Sequence, residues 1–272
     1  TPTLARMVAA KANALPRPTK WHSIGPYFRA ERPQRGRLRE FTQWNVDVVG
    51  DPSPDSDAEA IACCVDALRA MGLTPEHIKV KLNDRRLATA LMRIEGVRPE
   101  DVETCLVLVD SFGKLSEAEF TQLAKSKGIA IESLRALQAY QAPDFRREQG
   151  FVMLGTQRGR AVVEFAHMDA LAALLGDMGM SDWIELDTRI VRGLAYYTGM
   201  VFEVHETGGK ERAVAGGGRY DNLVELFGGP ATPAVGFAMG DVVIALVLQD
   251  KGLMPADDAI ARDMGLAPDV FV

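Results

Sequence analysis

Five arginines within eleven residues precede a strand pattern in which every second residue is polar. The five are Arg29, Arg32, Arg35, Arg37 and Arg39. The chain as a whole is acidic, with a formal net charge of -6, so a local cationic cluster calls for a local anion. In the run that follows, Gln43, Asn45 and Asp47 share one face, because strand side chains alternate with a period of two. An amide and a carboxylate beside arginines favour a pocket for a phosphate-bearing ligand and a small amine-bearing ligand.

Each half of this pattern also has a structural interpretation. The arginines could form a solvated basic loop, and the polar strand could be an edge facing water. Arg29 favours the functional interpretation, because it is in strand phase with Tyr27 and Glu31 and should face the polar side. Trp44, on the opposite face, indicates a strand packed on a core. We expect Arg29 and Arg37 to bind phosphate, since the guanidinium fork donates paired hydrogen bonds. The other three are expected to be ion-paired or to contact a nucleic-acid backbone.

Three further segments could carry chemistry. RGLAYYTG (192–199) offers an arginine and two tyrosines suited to grip a polar ring, although a hairpin with core tyrosines explains it equally well. AGGGRYD (215–221) and GFAMG (236–240) are glycine-rich, which permits close approach to a strand backbone, by a ligand or by neighbouring strands. Neither run matches the common phosphate-binding glycine motifs.

The predicted elements that position these residues indicate an α+β fold. Most predicted strands are joined by hairpins or long excursions, so we expect an antiparallel or mixed sheet flanked by helices, not a Rossmann fold. Asp241 is predicted to cap the last long helix. The predicted helices cover 3–15, 57–71, 85–94, 161–178, 223–227 and 242–252, with three more between 96 and 140. The predicted strands cover 24–30, 39–49, 77–82, 183–186, 201–206, 211–217 and 234–240.

Changes in composition along the chain predict four regions. Residues 1–95 are expected to form the first part of a core, 96–160 a helical insertion, and 161–262 the second part of the core. Residues 263–272 are expected to be a linker and the start of a truncated further domain. The chain begins with Thr1 inside a helical pattern and ends on a fresh strand pattern, so we expect a piece of a longer protein.

Composition excludes several classes of protein. No apolar run approaches the ~18 residues of a membrane span, and no signal peptide is recognisable. Cys63, Cys64 and Cys105 lack metal-ligand spacing and are expected to be reduced core thiols, as is usual for a cytoplasmic protein. The four histidines are scattered, so no protein-built metal site is predicted.

Four segments together resemble the histidyl-tRNA synthetase family of class II aminoacyl-tRNA synthetases. FRAERPQRGRLREFTQWNVDVVG resembles motif 2, and AVGFAMG the opening of motif 3. IVRGLAYYTGMVFEV and AGGGRYDNLVELFGG resemble the two histidine-specific signatures. The resemblance spans residues 1 to about 262 in the family's order, and the terminal PDVFV resembles the first strand of its anticodon-binding domain. It implies an antiparallel sheet flanked by helices.

The resemblance implies an enzyme that joins histidine to ATP, giving histidyl-adenylate and pyrophosphate, and then charges tRNA(His). Mg²⁺ would arrive with ATP, and the whole protein would be a cytoplasmic homodimer without a membrane anchor. Carried over by position, Arg29 would hold the α-phosphate and Arg37 the γ-phosphate. Glu31 would contact the adenine amino group, Phe41 would stack on adenine, and Gly240 would lie against the nucleotide.

The histidine-binding residues follow from the same resemblance. Gln43 would contact the amino and carboxylate groups of L-histidine. Asp47 and Tyr197 would hold the imidazole, and Tyr220 would line the same pocket. Arg192 would lie against the α-phosphate, where transition-state charge accumulates, so Arg29 and Arg192 are the predicted catalytic pair.

Three departures from the family pattern bear on activity. The commoner form continues motif 3 as Gly-x-Glu-Arg, with the arginine on the γ-phosphate, whereas Asp-Val-Val-Ile follows Gly240 here. We predict that another basic residue, Arg35 or Arg219, stands in for it. Ala195 stands where Asp is frequent. Motif 1 is absent, with its dimer surface and an acidic residue expected to hold the histidine amino group, so the chain alone is expected to lack parts of a complete site.

Two other functions compete with the synthetase. A catalytically inactive paralogue, such as the regulatory subunit of ATP phosphoribosyltransferase, would explain the missing motif 3 arginine. An RNA-binding module is disfavoured by the net acidity and by the lack of a long basic stripe.

Overall fold

A seven-stranded sheet forms the centre of the molecule. The computed structural model describes residues 1–30, 32–111, 115–139, 146–148, 151–155, 158–188, 190–193, 195–263 and 265. The strand order is β1-β2-β10-β9-β8-β3-β7, and every neighbouring pair is antiparallel except β3 and β7. The strands of this sheet are β1 (Thr19–Phe28), β2 (Glu40–Val49), β3 (Ile78–Asp84), β7 (Ile184–Leu186), β8 (Met200–Glu206), β9 (Ala215–Arg219) and β10 (Ala234–Gly240). The predicted α+β class with a mixed sheet is confirmed.

Helices cover the sheet and build two apolar clusters. The described helices are α1 (Pro2–Lys11), α2 (Pro54–Ala70), α3 (Arg85–Ile94), α4 (Val102–Asp110), α5 (Glu117–Ser126), α6 (Ile131–Ala139), α7 (Ala166–Asp177), α8 (Leu223–Leu226), α9 (Asp241–Asp250) and α10 (Asp257–Asp263). In the larger cluster, α2 and α9 pack on the core face of β2 and β10, and α7 packs against α2. In the smaller, α1 and α8 pack beside tyrosines.

The pairing register assigns each strand residue to one of two faces. Asp47 lies opposite Gly236, and Val48 lies opposite Val235, so polar and small residues share one face while valines share the other. Val48 and Val235 are buried in the larger cluster. Because side chains alternate along each strand, this one register separates a core face from a polar face across β2, β10 and β9.

The region between β3 and α7 differs from the prediction. The predicted three helices are present as α4, α5 and α6, but a second sheet of three antiparallel strands follows them. Its strands are β4 (Arg146–Glu148), β5 (Phe151–Gly155) and β6 (Arg160–Glu164). The prediction of an entirely helical segment was therefore wrong. β5 and β6 alternate only weakly between polar and apolar residues, and tertiary pairing decides such segments more than local propensity does.

Several boundaries also shift. β1 begins at Thr19, five residues before the predicted start, and α7 begins at Ala166 because β6 occupies part of its predicted span. Gly240, not Asp241, is the N-cap of α9, and Asp241 is its first helical residue. The terminal PDVFV run and Glu31 lie outside the described residues. None of the described helices combines the length and apolar character that crossing a membrane would require.

Candidate functional site

The polar face of the sheet forms the floor of a cavity of about 950 Å³. Nine of the ten predicted site residues line this one cavity, and the tenth, Glu31, is outside the described residues. The nine are Arg29, Arg37, Phe41, Gln43, Asp47, Arg192, Tyr197, Tyr220 and Gly240. The structure therefore brings together residues from four separate segments, while their individual roles remain predictions.

One end of the cavity, here called the tyrosine end, is formed by Asp47, Tyr196, Tyr197 and Tyr220. The Tyr220 hydroxyl donates a hydrogen bond to the Asp47 carboxylate. Burial raises the pKa of Asp47 above its ordinary value, and the Tyr220 hydrogen bond opposes that rise. The ring of Tyr196 lies 4.8 Å from that of Tyr197 and 6.0 Å from that of Tyr220. Aromatic walls with a carboxylate at the base suit a flat, polar, hydrogen-bonding ring.

Two glycines let side chains of the polar face lie across neighbouring backbones. A methyl group at Gly236 would meet the Asp47 carboxylate and the Val46 carbonyl oxygen. A methyl group at Gly216 would meet the guanidinium of Arg192. The glycines of these two runs therefore allow other parts of the protein to approach the strand backbone. This is the structural alternative that the sequence analysis gave beside ligand binding.

Arg192 is held on the cavity floor by an ion pair. Its Nη1 donates to Glu203 Oε1 at 2.8 Å, and Glu203 also accepts from His205 Nε2 at 2.8 Å. Burial works against ionisation of Glu203, but the bonds from His205 and Arg192 lower its pKa to about 2. The guanidinium also lies 5.9 Å from the centre of the Tyr197 ring. The carboxylate is therefore charged at neutral pH and keeps the arginine facing the cavity.

The backbone at Arg192 is unusual. Its φ of 49° is the one left-handed value of a non-glycine residue in the described part of the chain, and such conformations cost about 1–3 kcal/mol. Its Nε is also a buried donor without a hydrogen-bond partner among the described groups. Strain together with an unmet donor at a cavity wall is typical of a residue placed for ligand contact.

The opposite end, here called the arginine end, contains Arg29, Arg37, Phe41 and Arg212. The Arg29 guanidinium carbon lies 4.6 Å from the centre of the Phe41 ring, on which Tyr27 also stacks at 6.2 Å. Arg29 therefore rests on an aromatic face of the kind that a nucleobase would use. Arg29 is exposed and Arg37 is half-buried, so this end is more open than the tyrosine end.

The two residues suggested as replacements for the motif 3 arginine do not reach the cavity. Arg35 pairs with the nearly buried Glu211. Arg219 lies opposite Val235, which places it on the core face, one residue out of phase with the cavity. There its Nε donates to Asp57 Oδ1 at 3.0 Å, and its Nη2 to Ser56 Oγ at 2.9 Å. The prediction that one of them stands near the terminal phosphate was wrong.

Sequence reasoning missed three charged or titratable residues that line the cavity. Glu203 and His205 occupy alternate positions of β8, and that period of two was visible in MVFEVHE. Arg212 precedes β9 in a loop, and no sequence pattern fixes the direction of a loop side chain. Arg32 and Arg39 are exposed and outside the cavity lining. The described residues contain no group of three or more His, Cys, Asp and Glu side chains that could hold a metal ion.

Comparison with known sequences identifies relatives over nearly the whole chain. A family model described as histidyl-tRNA synthetase matches residues 1–241. The chain is 43% identical to the histidine--tRNA ligase of Opitutus terrae, over 94% of the chain and 59% of that protein. It is 38% identical to the chloroplastic/mitochondrial histidine--tRNA ligase of Arabidopsis thaliana, over 94% of the chain and 51% of that protein. The chain thus spans little more than half the length of these curated relatives.

Solved structures share the fold. The chain superposes on histidyl-tRNA synthetase from Nostoc sp. PCC 7120 with a TM-score of 0.69 at 22% identity, over 93% of this chain and 59% of that one. A Bacillus halodurans protein described as an ATP phosphoribosyltransferase regulatory subunit/histidyl-tRNA synthetase gives a TM-score of 0.63 at 22% identity, over 91% and 62%. At these identities the likeness concerns the fold, whereas the family model and the curated relatives determine the family. The chain belongs to the histidyl-tRNA synthetase family.

Proposed function

We propose that the chain is the catalytic core of an enzyme that activates histidine with ATP and transfers it to tRNA(His). The observation that carries the proposal is one cavity with two chemically distinct ends. A half-buried carboxylate beside three tyrosines suits an imidazole, and clustered arginines suit a triphosphate. Because the chain spans only part of its relatives, the activity of the whole protein remains a proposal, as do its homodimeric state and its cytoplasmic location.

In the proposed activation step, a carboxylate oxygen of histidine attacks the α-phosphorus of ATP. The new oxygen–phosphorus bond forms as the bond to the bridging oxygen of pyrophosphate breaks, and the electron pair leaves with pyrophosphate. Arg192 already faces the cavity through its ion pair with Glu203. Arg29 must leave the Phe41 face when adenine stacks there, which would bring its charge to the α-phosphate. Fixed positive charge where negative charge accumulates is the main means of lowering such a barrier.

The tyrosine end selects the amino acid in this proposal. Asp47 accepts a hydrogen bond from the imidazole, and Tyr220 holds the carboxylate in one orientation. Gln43 is on the same face of β2, two alternate positions from Asp47, where the amino and carboxylate groups of histidine would lie. Mg²⁺ enters as part of the ATP substrate. In the transfer step, the terminal adenosine of tRNA(His) displaces AMP from the activated histidine.

Histidine-dependent exchange of labelled pyrophosphate into ATP tests the proposal on the natural full-length protein. We expect exchange with histidine and none with other amino acids. Failure of a folded protein to exchange would defeat the proposal. In that case the regulatory alternative, favoured by the lack of an arginine after Gly240, predicts that the protein binds histidine but not ATP.

A further inference from the structure

The cavity holds an arginine that the family motifs do not account for. Arg212 lies in the connection between β8 and β9 and lines the arginine end together with Arg29 and Arg37. We propose that Arg212 binds the terminal phosphates of ATP and takes the place of the arginine that is missing after Gly240. This inference rests on the proposed function and names a further residue for it.

Three segments meet at one point beside Arg212. A methyl group placed on Gly36, in the hairpin tip, would lie 3.3 Å from Val243 Cγ2 and 3.9 Å from Arg212 Cδ. Val243 is the third residue after Gly240, which is the position of the arginine in a Gly-x-Glu-Arg motif. An arginine at 243 and the arginine at 212 would therefore serve the same end of the cavity from two different backbones.

Glu211, the acidic neighbour of Arg212 in the chain, is paired and lies outside the cavity lining. The neighbouring Glu211 carboxylate accepts from Arg35 Nε at 2.8 Å, and only 5% of its side chain is exposed. Its charge is thus compensated by Arg35, and the same ion pair links the β8–β9 connection to the hairpin tip. Arg37 and Arg212 both line the cavity at this end. A guanidinium offers paired donors whose geometry matches a phosphate group.

Two other arginines are less suited to this role. Arg219 is on the core face of the sheet, bound to Asp57. Arg35 is outside the cavity lining. Arg212 lines the cavity, and its side chain and that of Val243 both lie within 4 Å of a methyl group placed on Gly36.

An Arg212→Ala variant distinguishes binding of the terminal phosphates from a structural role. We expect its KM for ATP in pyrophosphate exchange to rise about 10- to 100-fold, the range for loss of hydrogen bonds to a charged group. Its affinity for a non-hydrolysable histidyl-adenylate analogue should not change, because that molecule lacks the β- and γ-phosphates. Lys210→Ala is the matched control, since Lys210 is in the same connection but pairs with Asp250 at 3.1 Å on the surface.

A second substitution tests the geometry directly. Adding Val243→Arg to Arg212→Ala should restore most of the ATP affinity, because it places a guanidinium at the same end of the cavity. Arg212→Lys should retain part of the affinity and guards against a folding defect in the alanine variant. An unchanged ATP KM in Arg212→Ala would overturn the inference, and so would an equal loss of ATP and adenylate-analogue affinity, which would indicate a structural role.

The experiment also distinguishes two kinds of failure. If the unaltered protein shows no exchange at all, the proposed function fails, whatever Arg212 does. Calorimetric binding of ATP and AMP then decides on Arg212 alone. A loss confined to ATP in Arg212→Ala supports the inference, and equal affinities of variant and parent for both nucleotides contradict it.

Discussion

The two ends of the cavity differ in how firmly contacts within the protein hold their side chains. At the tyrosine end, Asp47 and Tyr220 are hydrogen-bonded to each other within the sheet and the smaller apolar cluster. At the arginine end, Arg29 is exposed and rests on an aromatic ring. The first end is organised before any ligand arrives, whereas the second has to rearrange around one. The difference teaches that selectivity for the amino acid can be rigid while capture of the nucleotide stays adaptable.

The largest effect is expected from Arg29→Ala. Loss of one charge-stabilising donor lowers the exchange rate by about 10²- to 10³-fold in comparable sites. Histidine affinity and stability should be unchanged, because Arg29 takes no part in the tyrosine end. Exchange kinetics and histidine calorimetry measure the two quantities. Arg32→Ala, an exposed arginine of the same hairpin outside the cavity, is the control. A parallel loss of histidine affinity would break the separation between the two ends.

Asp47→Asn should have the converse effect. We expect the Kd for histidine to rise about 10- to 100-fold, since a hydrogen bond to a charged acceptor is lost. The Kd for ATP should stay within about twofold, a margin well below the tenfold step that corresponds to 1.4 kcal/mol. Calorimetric titration with each ligand measures both constants. An equal weakening of both would mean that the ends are coupled.

Gly236→Ala tests the rigidity of the tyrosine end. The added methyl meets the Asp47 carboxylate and the Val46 carbonyl oxygen, and such overpacking costs about 1–3 kcal/mol of unfolding free energy. Histidine affinity should fall as Asp47 is displaced. Gly25→Ala is the control: Gly25 lies in β1, on the other side of β2, and no atom is within 4 Å of the new methyl, so a change within about 0.5 kcal/mol is expected. Urea denaturation measures the unfolding free energy of both variants. An equal loss at the two positions would contradict the packing argument.

The smallest effect concerns the pH dependence of stability. The pKa of Asp47 is raised in the folded state, so its ionised form costs stability at neutral pH, and this cost disappears below the unfolded-state pKa near 3.8. Asp47→Asn should therefore be slightly more stable than the parent at pH 7, with the difference shrinking as the pH falls through the raised pKa. Thermal denaturation across that range measures it. A variant that is less stable at pH 7 would show that the carboxylate stabilises the fold.

The sequence predicted the polar face well, because alternation along β2 is a local property. Gln43, Asn45 and Asp47 share a face, and the structure places Arg29 and Arg37 at the end of the same cavity. The family resemblance also placed Arg192 and Tyr197 in the site. No local sequence pattern predicts that these two residues lie close to Asp47. The sequence could not show that Arg29 rests on Phe41, because that contact depends on the conformation of the hairpin.

The predictions that were wrong or missing have a common physical origin. Whether Arg219 faces the cavity depends on the pairing register of β9, and a shift of one residue reverses the face of a side chain. No strands were predicted for residues 146–160, because β4, β5 and β6 are short and pair with one another without a strong polar–apolar alternation in the sequence. Arg212 was overlooked because loop side chains follow no period. Pairing register, short and weakly alternating strands, and loop conformation are the features that local sequence pattern does not determine.

The buried Arg219–Asp57 pair has a consequence for motion. Arg219 ties β9 to α2, and the next residue, Tyr220, bonds to Asp47. Segments held in this way open only when the whole domain unfolds, whereas weakly packed segments open locally. Backbone amides of β9 should therefore exchange with deuterium on the timescale of global unfolding, and those of the hairpin tip at 32–38 far sooner. Local opening of the hairpin tip would then set the rate at which the nucleotide enters and leaves. The part of the fold that recognises the amino acid would stay closed meanwhile.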